Sequence, residues 1–407
     1  MNIRLTANDL KSKTKINITG SKSETNRLLL LKALYPNIAI VNASNSDDSE
    51  VMNSALTSNN QIIDVNHAGT AMRFLTAYFA SQENKTVTLT GSSRMKERPI
   101  KILVDALIQL GAKIEYLEND GFPPIKISGQ KLNSCRVSLP ANVSSQYISA
   151  LLLIAPSLQN GLELELIGEI TSIPYINMTL KLLNEINVET TFVNNKIVVK
   201  PLDQDPKSKT LIVESDWSSA SYFYSIIALS KAGTQIELSN FKENSLQGDA
   251  ILATIYEQMG VETHFNDGKI TLVKTQNSIK QNIVLDLNSA PDIAQTIAVT
   301  AFGLGIGCQL TGLHTLKIKE TDRLEALQIE LSKLGAPISV TNDSLKIEPS
   351  KSINSNQNIA TYNDHRMAMA FAPLALKKNI NIENAEVVSK SYPNFWNDLK
   401  KVGFEIS

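Results

Sequence analysis

LIQLGAKIE (107–115), IYEQMGVET (255–263), LSKLGAPIS (331–339) and DLKKVGFEI (398–406) share one pattern. Each is the end of an amphipathic helix, then a glycine, then a run that alternates as a strand does. LLNEINVET (182–190) repeats the pattern with Asn187 in the glycine's place. Glycine, with asparagine second, tolerates the left-handed backbone that closes a helix C-terminus, so the recurrence has a physical cause. It marks an internal repeat, the feature of a chain that most constrains its fold. ALTSNNQIID (55–64) reads as a sixth, shortened copy centred near Asn60.

After three copies a turn rich in Asn, Asp and Gly precedes a second strand: Asn194-Asn195, Asn266-Asp267-Gly268 and Asn342-Asp343-Ser344. These are hairpin signals. Each unit is therefore a βαβαββ-type module, and six modules divide into two groups of three. The expectation is an α/β protein of two similar domains. The polar, proline-bearing segment PLDQDPKSKT (201–210) suits a crossing between them. A second crossing is expected near Gly20, with the N-terminal strand completing the C-terminal half. The domains are then 1–19 with 216–407, and an inserted 20–215.

The 407 residues are 43% hydrophobic and 19% charged, ordinary globular composition with length enough for more than one core. Lys and Arg number 39 against 40 Asp and Glu, so no global field draws the chain to nucleic acid or an anionic membrane. Cys135 and Cys308 are far apart and form no metal or disulfide pattern. Residues 1–15 lack the apolar core of a signal peptide. The most apolar stretch, 293–310, carries Gln295, Thr296 and Thr300 and breaks at Gly303, Gly305 and Gly307. It reads as a buried helix leading to a strand, since a bilayer needs about 20 apolar residues. A cytoplasmic monomer with no membrane or nucleic-acid partner is expected.

Several helices begin where an apolar strand gives way to small, hydroxyl and cationic residues. Free N–H groups and the helix dipole favour anions at such ends. GSKSETNR (20–27) offers Lys22, Ser23 and Arg27; AGTAMR (68–73) offers Gly69, whose backbone a ligand can approach closely. SRMKERPI (93–100) puts three cations before a helix that could start at Pro99. Ser144, Ser145, Gln146, Ser172 and Tyr175 are neutral hydrogen-bonders suited to a polyhydroxylated ligand. Residues 319–323 (KETDR) and 363–367 (NDHRM) mix acids and bases at helix starts. Taken singly, each segment is explained equally well by helix capping and solvated charge. Together they describe many cations, several hydroxyls and at least two carboxylates, which is what joining two small polyanions requires. Asp292 and Glu320, the latter beside Lys319, are the candidate proton carriers. No nucleotide loop or metal-ligand spacing is present, so no cofactor and no metal are expected.

In order along the chain, GSKSETNR, AGTAMR, SRMKERPI, SSQ, NSLQGD, SAPD, KETDRL and NDHRMAMA resemble the signature set of the 5-enolpyruvylshikimate-3-phosphate synthase family, from 20 to about 396. The resemblance implies two inside-out α/β domains of three repeats, with the active site in the cleft between them. It implies transfer of the enolpyruvyl group of phosphoenolpyruvate to the 5-hydroxyl of shikimate 3-phosphate, with release of phosphate. It assigns phosphoenolpyruvate to Lys22, Gly69, Arg94, Arg323, Arg366 and Lys390. It assigns shikimate 3-phosphate to Ser23, Arg27, Ser144, Ser145, Gln146, Ser172, Asp292 and Lys319. Glu320 is expected to protonate carbon, Asp292 to take the hydroxyl proton, and Lys22 to stabilise charge and assist the leaving group. The resemblance also implies that the herbicide glyphosate can enter the phosphoenolpyruvate site, with room left beside Gly69.

The pattern is departed from at His67, Phe74 and Thr315, where Asn, Pro and Asn are expected. The nearest alternative is the sister family acting on UDP-N-acetylglucosamine, which usually carries a cysteine in the loop equivalent to 93–99; this chain has none there. The alternative of another class is a non-catalytic anion binder. A binder has no use for Asp292 and Glu320 beside its cations.

Overall fold

The repeat is built the same way wherever it is complete. Strand Ile62–Asp64 leads to helix Gly69–Ala80, and strand Thr86–Thr90 returns parallel to the first, with Ile63 opposite Leu89. Helix Lys101–Gln109 follows, then a hairpin of Lys113–Tyr116 and Ile125–Ser128 whose second strand pairs antiparallel with Thr86–Thr90. The first two strands are parallel because a helix joins them; the last two are antiparallel because a turn does. The computed structural model describes every residue except Asn8, Asp9, Asn142, Val143, Glu169, Thr171, Ser172, Asp203, Asp205, Asn277 and Ser278.

Among the described residues, five sheets are four-stranded and share this order of parallel and antiparallel partners. Two of them depend on the N-terminus. Lys13–Ile16 supplies the parallel partner of Gln235–Ser239, and Ile3–Thr6 lies between Ile380–Ile382 and Glu405–Ile406, antiparallel to both.

The residues at the glycine position bear out the reason given for them. Gly111, Asn187, Gly260, Gly335 and Gly403 all have positive φ, from 66° at Asn187 to 121° at Gly403. In four copies the next N–H reaches back five residues to the helix: Ala112 to Leu107, Val188 to Leu183, Ala336 to Leu331 and Phe404 to Leu399. That is the bond of a Schellman closure.

The sixth copy is a correction. Helix Asp47–Thr57 stops at Ser58 in extended backbone, and Asn60 is not among the positive-φ residues. The chain runs on without a hairpin into Ile62–Asp64, which opens the next sheet. The module at 22–57 keeps only a two-stranded sheet, Ile38–Val41 parallel to Lys209–Ile212.

Contacts divide the described chain into two compact units, Met1–Thr19 with Glu214–Ser407, and Gly20–Val213. The passage at Val213–Glu214 falls two residues before the expected 215–216 and after the polar segment 201–210, because 209–212 is a strand of the inserted unit. Glu214 and Ser215 are tied to the other side. The Glu214 carboxylate accepts from Trp217 Nε1 and Lys242 N, and Ser215 Oγ donates to the Ile18 carbonyl at 2.6 Å.

Each unit has three helices packed on one another at its centre. In one they are Trp217–Leu229, Ala294–Leu304 and His365–Phe371; in the other Lys22–Leu34, Gly69–Ala80 and Ser145–Ile154. Five of these helices are mostly apolar and mostly buried; Lys22–Leu34 differs in burying Glu24, Thr25, Asn26 and Arg27 along with leucines. The stretch 293–310 is thus a buried helix closed at Gly305 and followed by strand Gly307–Thr311, and no helix among the described residues is long and apolar enough to cross a membrane.

Candidate active site

Buried inner helices leave only their N-termini and preceding loops for chemistry, and the charged residues collect there. In the discontinuous unit Arg323 is the hub. It is 1% exposed, and its guanidinium donates from Nε to Asp364 Oδ2 (2.7 Å), from Nη1 to Asp292 Oδ1 (3.0 Å) and from Nη2 to Glu320 Oε2 (2.8 Å). The planar fork serves three acids at once, which an ammonium could not do in this geometry. The three carboxylates around it hold its pKa above the ordinary arginine value against desolvation, the largest single effect.

Asp292 also meets Lys319 Nζ at 3.4 Å and Arg366 Nη2 at 3.2 Å; Glu320 Oε1 meets Lys390 Nζ at 2.8 Å. The four cations and two carboxylates read from the sequence therefore form one network. Burial lowers the pKa of Lys319, with Asp292 opposing it. The network includes groups the sequence reading had not singled out. Asp364 joins Arg323 and caps the helix bearing Arg366, whose N–H it accepts at 2.9 Å. Ser218 links Arg366 to Asp249, whose carboxyl burial pushes up to about 7, with help from the charge of Asp292. Both acids lie inside motifs quoted above, but only their burial distinguishes them from solvated helix starts.

In the inserted unit, two inner helices begin without a side-chain cap: Lys22–Leu34 behind Ser21, and Gly69–Ala80 behind Ala68. No N-cap side chain accepts from their first N–H groups, which is the geometry an anion site at these ends would need. Lys22 Nζ lies 3.2 Å from the buried carboxylate of Asp48. Ser144 caps the third helix, accepting from Gln146 N at 3.4 Å, and the Gln146 amide donates to Thr70 Oγ1 at 3.1 Å. Ser145 is buried beside it. Ser172 lies outside the described residues.

Three observations bear on the expectations for this unit. Arg27 is 2% exposed and donates to Thr179 Oγ1, the Ser23 carbonyl and Ser149 Oγ at 2.7–2.9 Å, with its charge over the Phe74 ring at 5.5 Å. Burial lowers its pKa to about 10. Phe74, itself buried, thus covers Arg27, and the helix still starts at Gly69.

Second, the segment 93–100 is not a loop before a helix at Pro99. Ser93–Lys96 is a helical turn capped by Ser92, and the next helix starts at Lys101. Arg94 is exposed and paired with Glu97 at 3.0 Å, and Lys96 with Glu118 at 2.7 Å. Third, the space beside Gly69 is taken: a Cβ there would lie 2.6 Å from Arg98 Nη1.

Five complete βαβαββ-type modules and one shortened one, with buried helices whose N-termini gather charged residues, define a known class of fold. The chain matches a solved EPSP synthase from Acinetobacter baumannii over 100% of its length and 99% of that chain, with a TM-score of 0.79 at 21% identity. It matches an enolpyruvyl transferase from Streptomyces tendae over 100% and 98%, with a TM-score of 0.74 at 14% identity. These likenesses establish the fold.

The family follows from sequence. The family model described as EPSP synthase (3-phosphoshikimate 1-carboxyvinyltransferase) matches residues 42–399. A 3-phosphoshikimate 1-carboxyvinyltransferase of Bacteroides fragilis is 46% identical over 97% of this chain and 96% of its own, and one of Histophilus somni 36% identical over 95% and 96%. The chain belongs to the EPSP synthase family.

Proposed function

We propose that this enzyme transfers the enolpyruvyl group of phosphoenolpyruvate to the 5-hydroxyl of shikimate 3-phosphate and releases inorganic phosphate. The observation that carries the reading is the placing of Asp292 and Glu320 among Lys319, Arg323, Arg366 and Lys390. A binder of polyanions needs the cations; the two carboxylates that share them suit proton transfer.

On this reading Glu320 protonates the methylene carbon of phosphoenolpyruvate, and the adjacent carbon becomes cationic. The substrate hydroxyl, giving its proton to Asp292, bonds to that carbon and forms a tetrahedral intermediate. The carbon–oxygen bond to phosphate then breaks as a methyl proton returns to Glu320, which restores the double bond. Lys22, Gly69, Arg94, Arg323, Arg366 and Lys390 hold the donor. Ser23, Arg27, Ser144, Ser145, Gln146, Ser172, Asp292 and Lys319 hold the acceptor. The cations stabilise the negative charge that gathers on the departing phosphate, and the carboxylates the positive charge that develops on the carbon.

The proposal includes a cytoplasmic monomer, built of the two units as domains and acting without metal or cofactor. Phosphate release is expected to need both substrates and to persist in chelator. Release on replacing shikimate 3-phosphate by UDP-N-acetylglucosamine would move the activity to the sister reaction.

A further inference from the structure

Glu330 is fully buried and lies two turns beyond Arg323 on helix Arg323–Lys333, so both side chains leave the same face. Its Oε1 accepts from Tyr362 OH at 2.7 Å, and its Oε2 from the backbone N–H of Ala360 at 3.2 Å. Lys333 Nζ donates to both oxygens, at 2.8 and 2.9 Å, so the buried charge is paired. One helix therefore grips the segment 360–364 twice: Arg323 holds Asp364, and Glu330 holds Ala360 and Tyr362.

Between the two grips the backbone is strained. Tyr362 and Asn363 have φ of 53° and 54°, two successive non-glycine residues in the left-handed region. Such residues persist only where the surroundings hold them. Asp364 N closes the turn onto the Thr361 carbonyl at 2.8 Å, and the next helix starts at once with His365 and Arg366. The direction in which Arg366 leaves toward Asp292 is thus set by a turn that is unfavourable by itself.

We propose that Glu330 and Tyr362 are positioning residues: their hydrogen bond holds the 360–364 turn in its left-handed form and thereby sets Asp364 against Arg323 and aims Arg366 at the enolpyruvyl donor. This deepens the functional reading above and rests on it for the identity of the donor. Neither residue touches the reacting atoms. Their effect passes through the turn.

Tyr362→Phe removes the hydroxyl and little else; Glu330→Gln is the second variant, isosteric but uncharged. In each, the Michaelis constant for phosphoenolpyruvate should rise about tenfold, the effect of one hydrogen bond to a charged group. That for shikimate 3-phosphate should rise by less, because of the described groups assigned to it only Asp292 touches Arg323 and Arg366, while Lys319 meets the network at Asp292. The side-chain Nε–H resonance of Arg323, bonded to Asp364, should exchange faster with water. Unchanged Michaelis constants with an unchanged Arg323 resonance, even with a lowered melting temperature, would overturn the proposal, as would equal rises for both substrates. Should the wild type release no phosphate, the functional reading fails separately. The Arg323 resonance then decides alone: faster exchange in both variants supports the clasp, and retention in either overturns it.

Discussion

At Gly69 an added Cβ would meet the far end of a flexible side chain, Arg98, and no backbone atom among its nearest neighbours. Gly69→Ala should therefore fold, with the Arg98 guanidinium displaced. On the proposed function the methyl group and the displaced guanidinium crowd the helix N-terminus, and the longer inhibitor should lose more than the substrate. Inhibition constants for glyphosate and Michaelis constants for phosphoenolpyruvate test this; equal losses would remove Gly69 as the discriminating contact.

Asp249 shows a second residue effect. Its carboxyl is raised by burial from 3.8 to about 7, so the folded protein keeps a proton that the unfolded chain gives up between those values. Its contribution to stability is complete below about pH 4 and is lost as pH rises through 7. Asp249→Asn stays neutral throughout. Relative to the wild type it should gain on the order of a few kcal/mol between pH 4 and pH 8. Urea titrations at the two pH values measure the difference, and a constant difference would show that the group is not the source.

At the scale of elements, the helix closures are the repeated device. Asn187 occupies with φ of 66° the position where four other copies have glycine. Asn187→Gly should stabilise the inserted unit by roughly 0.5 kcal/mol, and Asn187→Ala should destabilise it by about 1 kcal/mol, since a Cβ is disfavoured in the left-handed region. The shift in denaturation midpoint gives the sign directly. These closures are what made the repeats legible: a left-handed residue between helix and strand leaves a mark in the sequence. The copy at Asn60 carried the same letters without the closure. There the helix had ended two residues earlier, at Ser58, and no hairpin followed.

At the scale of the molecule, residues 1–19 belong to the discontinuous unit. Ile3–Thr6 is an interior strand of one of its sheets and Lys13–Ile16 the edge of another. The inserted unit takes no strand from them. A fragment of residues 20–213 should therefore unfold cooperatively by itself, whereas a fragment of 214–407 should not until a peptide of residues 1–19 is supplied. Far-UV circular dichroism of both fragments tests this. A cooperative transition in 214–407 alone would mean that the N-terminal strands are dispensable.

By itself the sequence determined the repeat, and it pointed to the helix ends at which cations gather and to the acids Asp292 and Glu320 as candidates. All of these follow from local rules: which residues tolerate positive φ, which begin helices, which pairs exchange protons. Only the tertiary structure decided that Arg323 joins three carboxylates, that Asp249 and Asp364 are buried members of the same network, and that Arg98 covers Gly69. It also decided that Phe74 covers Arg27 and that Arg94 is exposed. Those facts depend on which side chains are brought together from distant segments and how far water is removed from them. An aspartate at a buried helix start and one at a solvated helix start have the same neighbours in sequence, and only burial raises the cost of leaving the first unpaired.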